Sequence, residues 1–309
     1  MKIMFMGTPE FAMCNLKAIH QNTDNEIVGV VTTPDKPKGR GMVLTPSPVK
    51  QYAQDNGLRV YQPETLKDGA FLETLKELEP ELIIVVAYGK LLPSYVLDFP
   101  KYACINAHAS ILPKYRGAAP IQRAIMDGEE KTGVSIMKMD IGLDTGDVIL
   151  VEEVGIEEND NFEAVHDKLI EAGSRGLLKA IELFDSGKAT FTKQGDSFTY
   201  AEKITKDDCL IDFKDTRRNV HNKIRGLSPI PVAFTKTPDG KILKVTKSHT
   251  SPDFFKGECG EVVSLDGGIF VKCQDATIVL DEVVPEGKGK MSATAFINGR
   301  KIKVGDILG

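Results

Sequence analysis

The chain contains 309 residues, 41% of them apolar and 27% charged, and its formal net charge is −5. This composition is ordinary for a globular protein, and the length suffices for about two domains with substantial cores. The five cysteines are scattered and form no CxxC pair, which excludes a disulfide or zinc framework and favours reduced thiols. The acidic net charge does not by itself favour binding to RNA.

No stretch of the sequence combines the length and the apolarity of a membrane span. The best candidate, LIIVVAY at residues 82–88, is far shorter than the roughly 20 residues that a spanning helix needs. The apolar run within MKIMFMGTPEF is too short for a signal peptide and is interrupted by Pro9. We therefore expect a cytoplasmic protein with no membrane partner.

Strand and helix patterns alternate over the first hundred residues. Strands are predicted at KIMFMG, EIVGVVTT, LRVY and LIIVVAYG, and helices from about Glu10, near residues 49–56 and near residues 69–78. Such alternation predicts a parallel sheet with helices on both faces. The turn after the first strand, Gly7-Thr8-Pro9, lacks the GxGxxG spacing that a pyrophosphate requires, so we exclude a nicotinamide cofactor.

A long irregular segment, PDKPKGRGMVLTPSPVK at residues 34–50, interrupts this alternation. It holds four prolines and two glycines. After the acidic Asp35 it carries four basic residues, Lys36, Lys38, Arg40 and Lys50. Loops of this length inside compact domains are usually functional or disordered. This pattern is compatible both with a binding loop and with a solvated linker loop.

Residues 104–148 carry the side chains best suited to catalysis. In CINAHA apolar and polar residues alternate, so Asn106 and His108 should project from the same face of a strand. The prolines and the glycine of SILPKYRGAAP then prevent regular structure, and such a strand end usually holds the ligand of an open α/β sheet. Asp144 lies between two glycines in GLDTGDV, so a tight turn can direct its carboxylate toward His108.

This combination of an amide, an imidazole and a carboxylate suits the transfer of an acyl or formyl group to an amine. Asn106 and His108 can stabilise the negative charge that builds on the carbonyl oxygen during attack. The attacking amine must lose a proton and the leaving nitrogen must gain one, and Asp144 and His108 can carry out both transfers, directly or through a water. Each residue taken singly is also compatible with a structural role, as part of a strand end or a turn.

The pattern changes in the second half of the chain. Residues 161–185 predict one long amphipathic helix. His166 on this helix and His20 on the first helix have no partner at metal-ligand spacing, so we interpret both as structural. A polar segment over residues 190–205 reads as a linker. Residues 206–309 predict a short basic helix followed by evenly spaced short strands, which are typical of a small barrel.

Several of these segments resemble one enzyme family. INAHASILPKYRGAAPIQRAI and TGVSIMKMDIGLDTGDV are similar to the signature of the formyltransferases that use 10-formyltetrahydrofolate. MGTPEFA, PDKPKGRG and PSPVK are similar to the members that act on methionyl-tRNA. The resemblance covers the whole sequence and implies an α/β fold class. By this resemblance the chain comprises a Rossmann-like, doubly wound, mainly parallel sheet over residues 1–189, the linker over 190–205 and a small OB-like β-barrel over 206–309.

The resemblance also implies the reaction and its partners. We expect transfer of the formyl group of 10-formyltetrahydrofolate to the methionine of initiator methionyl-tRNA, with tetrahydrofolate as product, by a monomer without a metal or a DNA partner. Asn106, His108 and Asp144 correspond to the family's catalytic trio. The expected folate-binding residues are Tyr88, Leu92, Ser110, Ile111, Leu112 and Pro113, and the expected tRNA-binding residues are Lys36, Lys38 and Arg40.

Rival functions remain on the sequence alone. A formyltransferase acting on glycinamide ribonucleotide, or a formyltetrahydrofolate hydrolase, would keep the trio but is not expected to combine the GRG-containing loop with a carboxyl-terminal barrel. A sugar-nucleotide N-formyltransferase can have a second domain, and MGTPEFA and PSPVK argue against it by resemblance. An RNA-binding protein without catalysis has no need of an acid and an imidazole at one strand end.

Overall fold

The computed structural model describes residues 1–38 and 42–309 of the chain. Contacts between residues divide the chain into two compact units. The first unit comprises residues 1–117, 132–154 and 167–200, and the second comprises residues 118–131, 155–166 and 201–309. None of the helices in the described residues combines the length and the apolar composition that crossing a bilayer requires.

Strands and helices alternate along the chain. The first elements are β1 (Lys2–Gly7), α1 (Glu10–Asn22), β2 (Glu26–Val31), β3 (Lys36–Lys38), β4 (Val43–Thr45), α2 (Pro48–Asp55), β5 (Val60–Tyr61) and α3 (Phe71–Leu78). They are followed by β6 (Leu82–Val86), α4 (Ser94–Leu97), β7 (Ala103–His108), β8 (Arg116–Gly117), α5 (Pro120–Met126), β9 (Lys131–Lys138), β10 (Val148–Gly155) and α6 (Phe162–Asp185). The last elements are β11 (Tyr200–Ala201), α7 (Arg217–Gly226), β12 (Ala233–Lys236), β13 (Ile242–Ser251), β14 (Val262–Ser264), β15 (Ile269–Lys272), β16 (Thr277–Pro285), β17 (Met291–Ser292) and α8 (Ala293–Asn298).

The first unit is built on a seven-stranded sheet with the order β10-β9-β7-β6-β1-β2-β5. β1 runs parallel to β2 and β6, β2 to β5, and β6 to β7, so the predicted parallel sheet is confirmed. β9 pairs with β7 in the antiparallel direction, an orientation that the sequence pattern did not predict. β6 is buried along its whole length, as expected for a central strand that is covered on both faces.

The helices of the first unit begin at local sequence signals. α1 starts directly after Pro9. The Ser47 side chain caps α2 by accepting a hydrogen bond from the Lys50 N–H at 3.0 Å, and Pro48 occupies the first position, where no N–H donor is needed. α6 extends over 24 residues, of which those from residue 167 onward belong to the first unit, so the long helix predicted for residues 161–185 is confirmed.

The second unit contains a sheet in which β12, β13, β16, β15 and β14 follow one another, with β17 paired to β16. All of these pairs are antiparallel. The register of β13 against β16 shifts twice between Val245 and Ser248, and such irregularities bend a strand and increase its twist. Val220 and Ile224 of α7 belong to the hydrophobic core of this unit. The predicted short helix and series of short strands are therefore confirmed.

Candidate active site

β7 carries two of the candidate catalytic side chains. Asn106 pairs with Val85 of β6 and with Met137 of β9, and His108 pairs with Ser135 of β9. Because side chains alternate along a strand, Asn106 and His108 project from the same face. Asn106 is half-buried and His108 is 6% exposed, so the imidazole has little freedom to reorient.

The two ring nitrogens of His108 face different groups. Nε2 lies 2.8 Å from the backbone carbonyl oxygen of Tyr115. Since a carbonyl oxygen only accepts hydrogen bonds, Nε2 carries a hydrogen and donates it. Nδ1 lies 3.6 Å from Oδ2 of Asp144. The nitrogen that remains for proton exchange is therefore Nδ1, and it faces the carboxylate.

Asp144 reaches His108 from the turn between β9 and β10. Its φ is +54°, in the left-handed region that aspartate tolerates better than most residues. Its Oδ2 accepts a hydrogen bond from the Gly117 N–H at 2.8 Å. The turn is braced internally, because Oδ1 of Asp140 accepts a hydrogen bond from the Thr145 hydroxyl at 2.6 Å. The carboxylate of Asp144 is thus fixed by a backbone donor on one side and faces the imidazole on another.

The two glycines that flank the acid are required by close approaches. A Cβ on Gly146 would lie 1.7 Å from the carbonyl oxygen of Lys138, and a Cβ on Gly142 would lie 2.0 Å from Oγ1 of Thr145. A side chain on Gly146 would require the backbone to move, and one on Gly142 would require the Thr145 side chain to move. The sequence GLDTGDV therefore encodes the turn that delivers Asp144.

The loop after β7 is held by a serine of β9. The fully buried Ser135 donates from Oγ to the carbonyl oxygen of Ser110 at 2.7 Å and accepts from the Leu112 N–H at 3.0 Å. The Ser110 hydroxyl donates to the carbonyl oxygen of Lys114 at 2.7 Å. The peptide between Leu112 and Pro113 is cis. This loop contains four of the predicted folate-binding residues, Ser110, Ile111, Leu112 and Pro113.

Tyr88 and Leu92, the other two predicted folate-binding residues, lie in a hydrophobic core cluster of the first unit. Tyr88 is 2% exposed, and its hydroxyl is buried without a hydrogen-bond partner in the described part of the chain. Burial raises the pKa of this hydroxyl to about 12. Leu91, between them in sequence, is 77% exposed. The side chains of Tyr88 and Leu92 thus pack inside the unit, whereas Leu91 faces outward.

Apolar side chains are also exposed in the turn that carries the acid. Ile141 and Leu143 are 83% and 52% exposed, and Leu143 directly precedes Asp144. Exposed apolar side chains beside buried polar groups are typical of a ligand site. Over residues 1–38 and 42–309, no three or more His, Cys, Asp or Glu side chains are grouped so that they would hold a metal ion.

Part of the predicted binding loop forms a hairpin of β3 and β4. Lys36 and Lys38 lie on β3, and Lys36 is exposed. Arg40 lies outside the described residues. Lys50 pairs with Asp35 at 2.6 Å, and this hydrogen bond is the main reason that the pKa of the Asp35 carboxyl is lowered. The charge of Lys50 is therefore already balanced within the loop.

Sequence reasoning missed three groups that hold His108 and Asp144 in place. They are the Tyr115 carbonyl, the Gly117 N–H and the side chain of Gln194, whose Nε2 donates to the carbonyl oxygens of Asp144 and Gly146 at 2.9 Å and 2.7 Å. The first two are backbone groups, which leave no side-chain signal in a sequence. Gln194 lies 50 residues beyond Asp144, in the polar segment that was interpreted as a linker, and no local motif identifies it.

The sequence matches two protein-family models. The model described as formyl transferase matches residues 1–181, and the model described as formyl transferase, C-terminal domain, matches residues 203–301. Among curated relatives, the methionyl-tRNA formyltransferase of Clostridium novyi (strain NT) is 46% identical over 311 residues, covering 100% of both chains. The methionyl-tRNA formyltransferase of Fusobacterium nucleatum subsp. nucleatum is 44% identical over 312 residues, again covering 100% of both chains.

Solved structures resemble the fold at lower identity. The crystal structure of the N-formyltransferase from Helicobacter canadensis in complex with folinic acid and dTDP-3-aminofucose has a TM-score of 0.69 at 21% identity. It covers 91% of this chain and 98% of that chain. A structure of HypX from Aquifex aeolicus in complex with tetrahydrofolic acid has a TM-score of 0.63 at 18% identity, over 97% of this chain and 47% of that chain. These likenesses show the shared fold of an α/β unit followed by antiparallel strands.

Proposed function

Because this chain belongs to the formyl transferase family, we propose that it transfers the formyl group of 10-formyltetrahydrofolate to the α-amino group of methionine on initiator methionyl-tRNA. The observation that carries this proposal is the 46% identity to a methionyl-tRNA formyltransferase over the full length of both chains. The products are N-formylmethionyl-tRNA, which initiates translation, and tetrahydrofolate.

The residues around the trio fit a folate donor. When bound, 10-formyltetrahydrofolate supplies a formyl group on a nitrogen that can leave. Its pteridine ring has apolar faces and a polar edge, and the exposed Ile141 and Leu143 next to Asp144, together with the backbone of the loop after β7, suit both. We assign the folate site to the loop residues Ser110, Ile111, Leu112 and Pro113, together with Tyr88 and Leu92 of the hydrophobic core cluster.

The geometry of the trio assigns a separate task to each side chain. The Asn106 amide donates to the formyl oxygen, where negative charge develops as the amine attacks. His108 uses Nε2 for the Tyr115 carbonyl, so the proton that it exchanges resides on Nδ1. Asp144, fixed by the Gly117 N–H, would take up the proton that the methionyl amine loses, and His108 would give the proton on Nδ1 to the folate nitrogen as its bond to the formyl carbon breaks, directly or through a water. The amine is itself the nucleophile, so no serine or cysteine is required.

We assign tRNA binding to both ends of the chain. Residues 206–309 form an OB-like barrel domain in this proposal, after a catalytic domain of residues 1–189 and a linker of 190–205. The match to the C-terminal family model and the antiparallel, irregular sheet support it. The loop residues Lys36, Lys38 and Arg40 contact the acceptor end through phosphate charge. A folate and a charged tRNA as substrates are consistent with a cytoplasmic monomer that has no DNA or membrane partner.

Formyl transfer can be measured with three acceptors in competition: methionyl initiator tRNA, methionyl elongator tRNA and glycinamide ribonucleotide. We expect formylated product on the initiator tRNA in preference to the other two. Tetrahydrofolate release without formylated RNA would instead assign a hydrolase. Product on the ribonucleotide, or on an amino-sugar nucleotide offered in a second assay, would assign a small-amine formyltransferase.

A further inference from the structure

Residues 192–199, here called the strap, are fastened to both loops of the candidate active site. Thr192 exchanges two backbone hydrogen bonds with Val148, each 2.8 Å long, just beyond the turn that carries Asp144. At the other end, the carbonyl oxygen of Thr199 accepts from the Arg116 N–H and its hydroxyl accepts from the Tyr115 N–H, both at 2.9 Å. The strap therefore joins the Asp144 turn to the loop that supplies the partner of His108.

Gln194 is the side chain within the strap that connects these two loops directly. Its Nε2 donates to the carbonyl oxygens of Asp144 and Gly146 at 2.9 Å and 2.7 Å. Its Oε1 accepts from Nε and Nη2 of Arg116 at 3.0 Å and 2.7 Å. A glutamine amide has two donor hydrogens and two acceptor positions, so these four hydrogen bonds use all of them.

The other side of this network is closed by packing. Arg116 is 6% exposed, and its guanidinium carbon lies 4.6 Å from the centroid of the Phe198 ring, which is favourable for a cation–π contact. The hydrogen bonds from a guanidinium to Gln194 are charge-assisted and stronger than those between neutral groups. Arg116 is therefore a firm anchor for the glutamine that holds the Asp144 turn.

The two loops joined by Gln194 are those that flank the His108 ring. Asp144 faces Nδ1 at 3.6 Å, and the carbonyl oxygen of Tyr115, the residue before Arg116, accepts from Nε2 at 2.8 Å. A change in the separation of these loops would alter one or both contacts. Since Asp144 has a positive φ, an external tie that holds this conformation is physically useful there.

We propose that Gln194 is a positioning residue for the proposed formyl transfer: it sets the distance between Asp144 and the Tyr115 carbonyl across the ring of His108. It touches no reacting atom. It acts through the backbone of the Asp144 turn and through Arg116, and so fixes both the ring tautomer and the carboxylate that faces Nδ1.

Two substitutions separate the possible roles of this side chain. Gln194→Met keeps the length but removes all four hydrogen bonds. Gln194→Glu keeps an acceptor for Arg116 but places a second oxygen against the carbonyls of Asp144 and Gly146. Because a misplacement of about 1 Å can cost on the order of 10² in rate, we expect kcat to fall about 10- to 100-fold in both variants. The KM values for 10-formyltetrahydrofolate and methionyl-tRNA should change less than about threefold, because Gln194 is not assigned to the binding of either substrate.

The matched control is Asp196→Ala, because the side chain of Asp196 is exposed on the same strap. It should retain wild-type kcat. A merely structural role of Gln194 would lower the melting temperature and the active fraction without changing kcat per active site. Wild-type kcat in Gln194→Met, or in Gln194→Glu alone, would overturn the proposal. The second result would show that anchoring Arg116 is sufficient and that the Asp144 turn needs no tie.

A readout that does not depend on activity separates this proposal from the proposed function. In protein labelled with ¹⁵N-histidine, the His108 ring, identified by its loss in His108→Asn, should show the Nε2–H tautomer. We expect Gln194→Met to mix the tautomers or shift these resonances, whereas Asp196→Ala should not. If wild-type protein formylated no tRNA yet this shift occurred, the proposed function would fail and the positioning role would stand. If wild-type protein formylated tRNA and neither kcat nor the resonances responded to Gln194→Met, only the positioning role would fail.

Discussion

Oδ2 of Asp144 lies 3.6 Å from Nδ1 of His108 and also accepts a hydrogen bond from the Gly117 N–H at 2.8 Å. The same carboxylate oxygen therefore stabilises the loop at Gly117 and faces the imidazole of His108. The hydrogen bond can be kept without the negative charge, because an amide oxygen also accepts from an N–H. This relationship allows the structural and chemical tasks of Asp144 to be tested separately.

Asp144→Asn should reduce formyl transfer by about 10² to 10⁴-fold, since the amide neither balances a protonated imidazole nor accepts a proton. Its melting temperature should stay close to that of the wild type, because the contact to Gly117 is preserved. Asp144→Ala should lose activity to a similar extent and should also melt earlier. Single-turnover rates and thermal melts of both variants provide the measurement. Wild-type turnover by Asp144→Asn would show that Asp144 has only a structural role in the turn.

Removing the amide of Asn106 should cost about 10² to 10³ in kcat if this group is the main donor to the formyl oxygen. The expected KM for methionyl-tRNA is unchanged, because the tRNA contacts are assigned elsewhere. Asn106→Ala and Asn106→Ser can be compared by steady-state kinetics, with circular dichroism to verify folding. A rise in KM at constant kcat would instead place Asn106 in substrate binding.

Gly146→Ala should displace the Asp144 turn, because the new Cβ would begin 1.7 Å from the Lys138 carbonyl oxygen. We expect a loss of most formyl transfer together with a lower melting temperature. Gly195→Ala is the matched control, since a Cβ there meets nothing within 4 Å. Equal activity of the two alanine variants would show that the turn can relax without moving the carboxylate.

The stability of the second unit should depend on His221. This residue is 4% exposed, Nδ1 lies 3.0 Å from the Ser248 hydroxyl and Nε2 lies 3.2 Å from the Glu158 carbonyl. Burial, aided by the charge of Arg225, lowers the His221 pKa below its ordinary value of 6.5. The unfolded chain therefore binds a proton first as the pH falls, so the free energy of unfolding decreases below about pH 6.5.

Urea unfolding at about pH 7.5 and about pH 5.5 measures this effect, since the linkage term acts only near and below the unfolded pKa. His221→Gln removes the titrating group and should show a smaller loss of stability between these two conditions than the wild type. His20→Gln is the control, because His20 lies in the first unit and not beside His221. An identical loss in wild type and His221→Gln would exclude His221 as the source.

Lys36 should contribute to tRNA affinity through phosphate charge. Lys36→Ala should reduce the slope of log K against log salt concentration by roughly 0.7 to 0.9, the value for one lost phosphate contact. Lys67→Ala, another exposed lysine of the first unit, should leave the slope unchanged. Titrations of methionyl-tRNA at several salt concentrations give these slopes, and equal slopes for Lys36→Ala and wild type would remove Lys36 from the interface.

The sequence was most informative where chemistry and local geometry coincide. The alternation around Asn106 and His108 predicted a strand, and the glycines on either side of Asp144 predicted a turn; both elements are present, and His108 and Asp144 lie close together. The alternating strands and helices likewise predicted the parallel sheet, because buried apolar runs with helical segments between them leave few other arrangements.

The groups that hold His108 and Asp144 in place could not be predicted from the sequence, for physical reasons. Gly117 and Tyr115 act through backbone atoms that every residue possesses. Gln194 acts across 50 residues of chain, and a lone glutamine in a polar segment resembles any solvated side chain. The antiparallel direction of β9 also left no periodicity signal, since strands buried on both faces look alike in either direction.

The strap limits where this chain can be joined to the carboxyl-terminal part of a related chain. The match to the formyl transferase family model ends at residue 181, but Thr192, Gln194 and Thr199 bind the loops around His108 from beyond that point. A fragment that stopped at residue 189 would retain Asn106, His108 and Asp144 yet lose the hydrogen bonds that hold the loops on both sides of the His108 ring. An exchange of carboxyl-terminal segments between related chains would therefore have to place the junction after residue 199 to keep these hydrogen bonds intact.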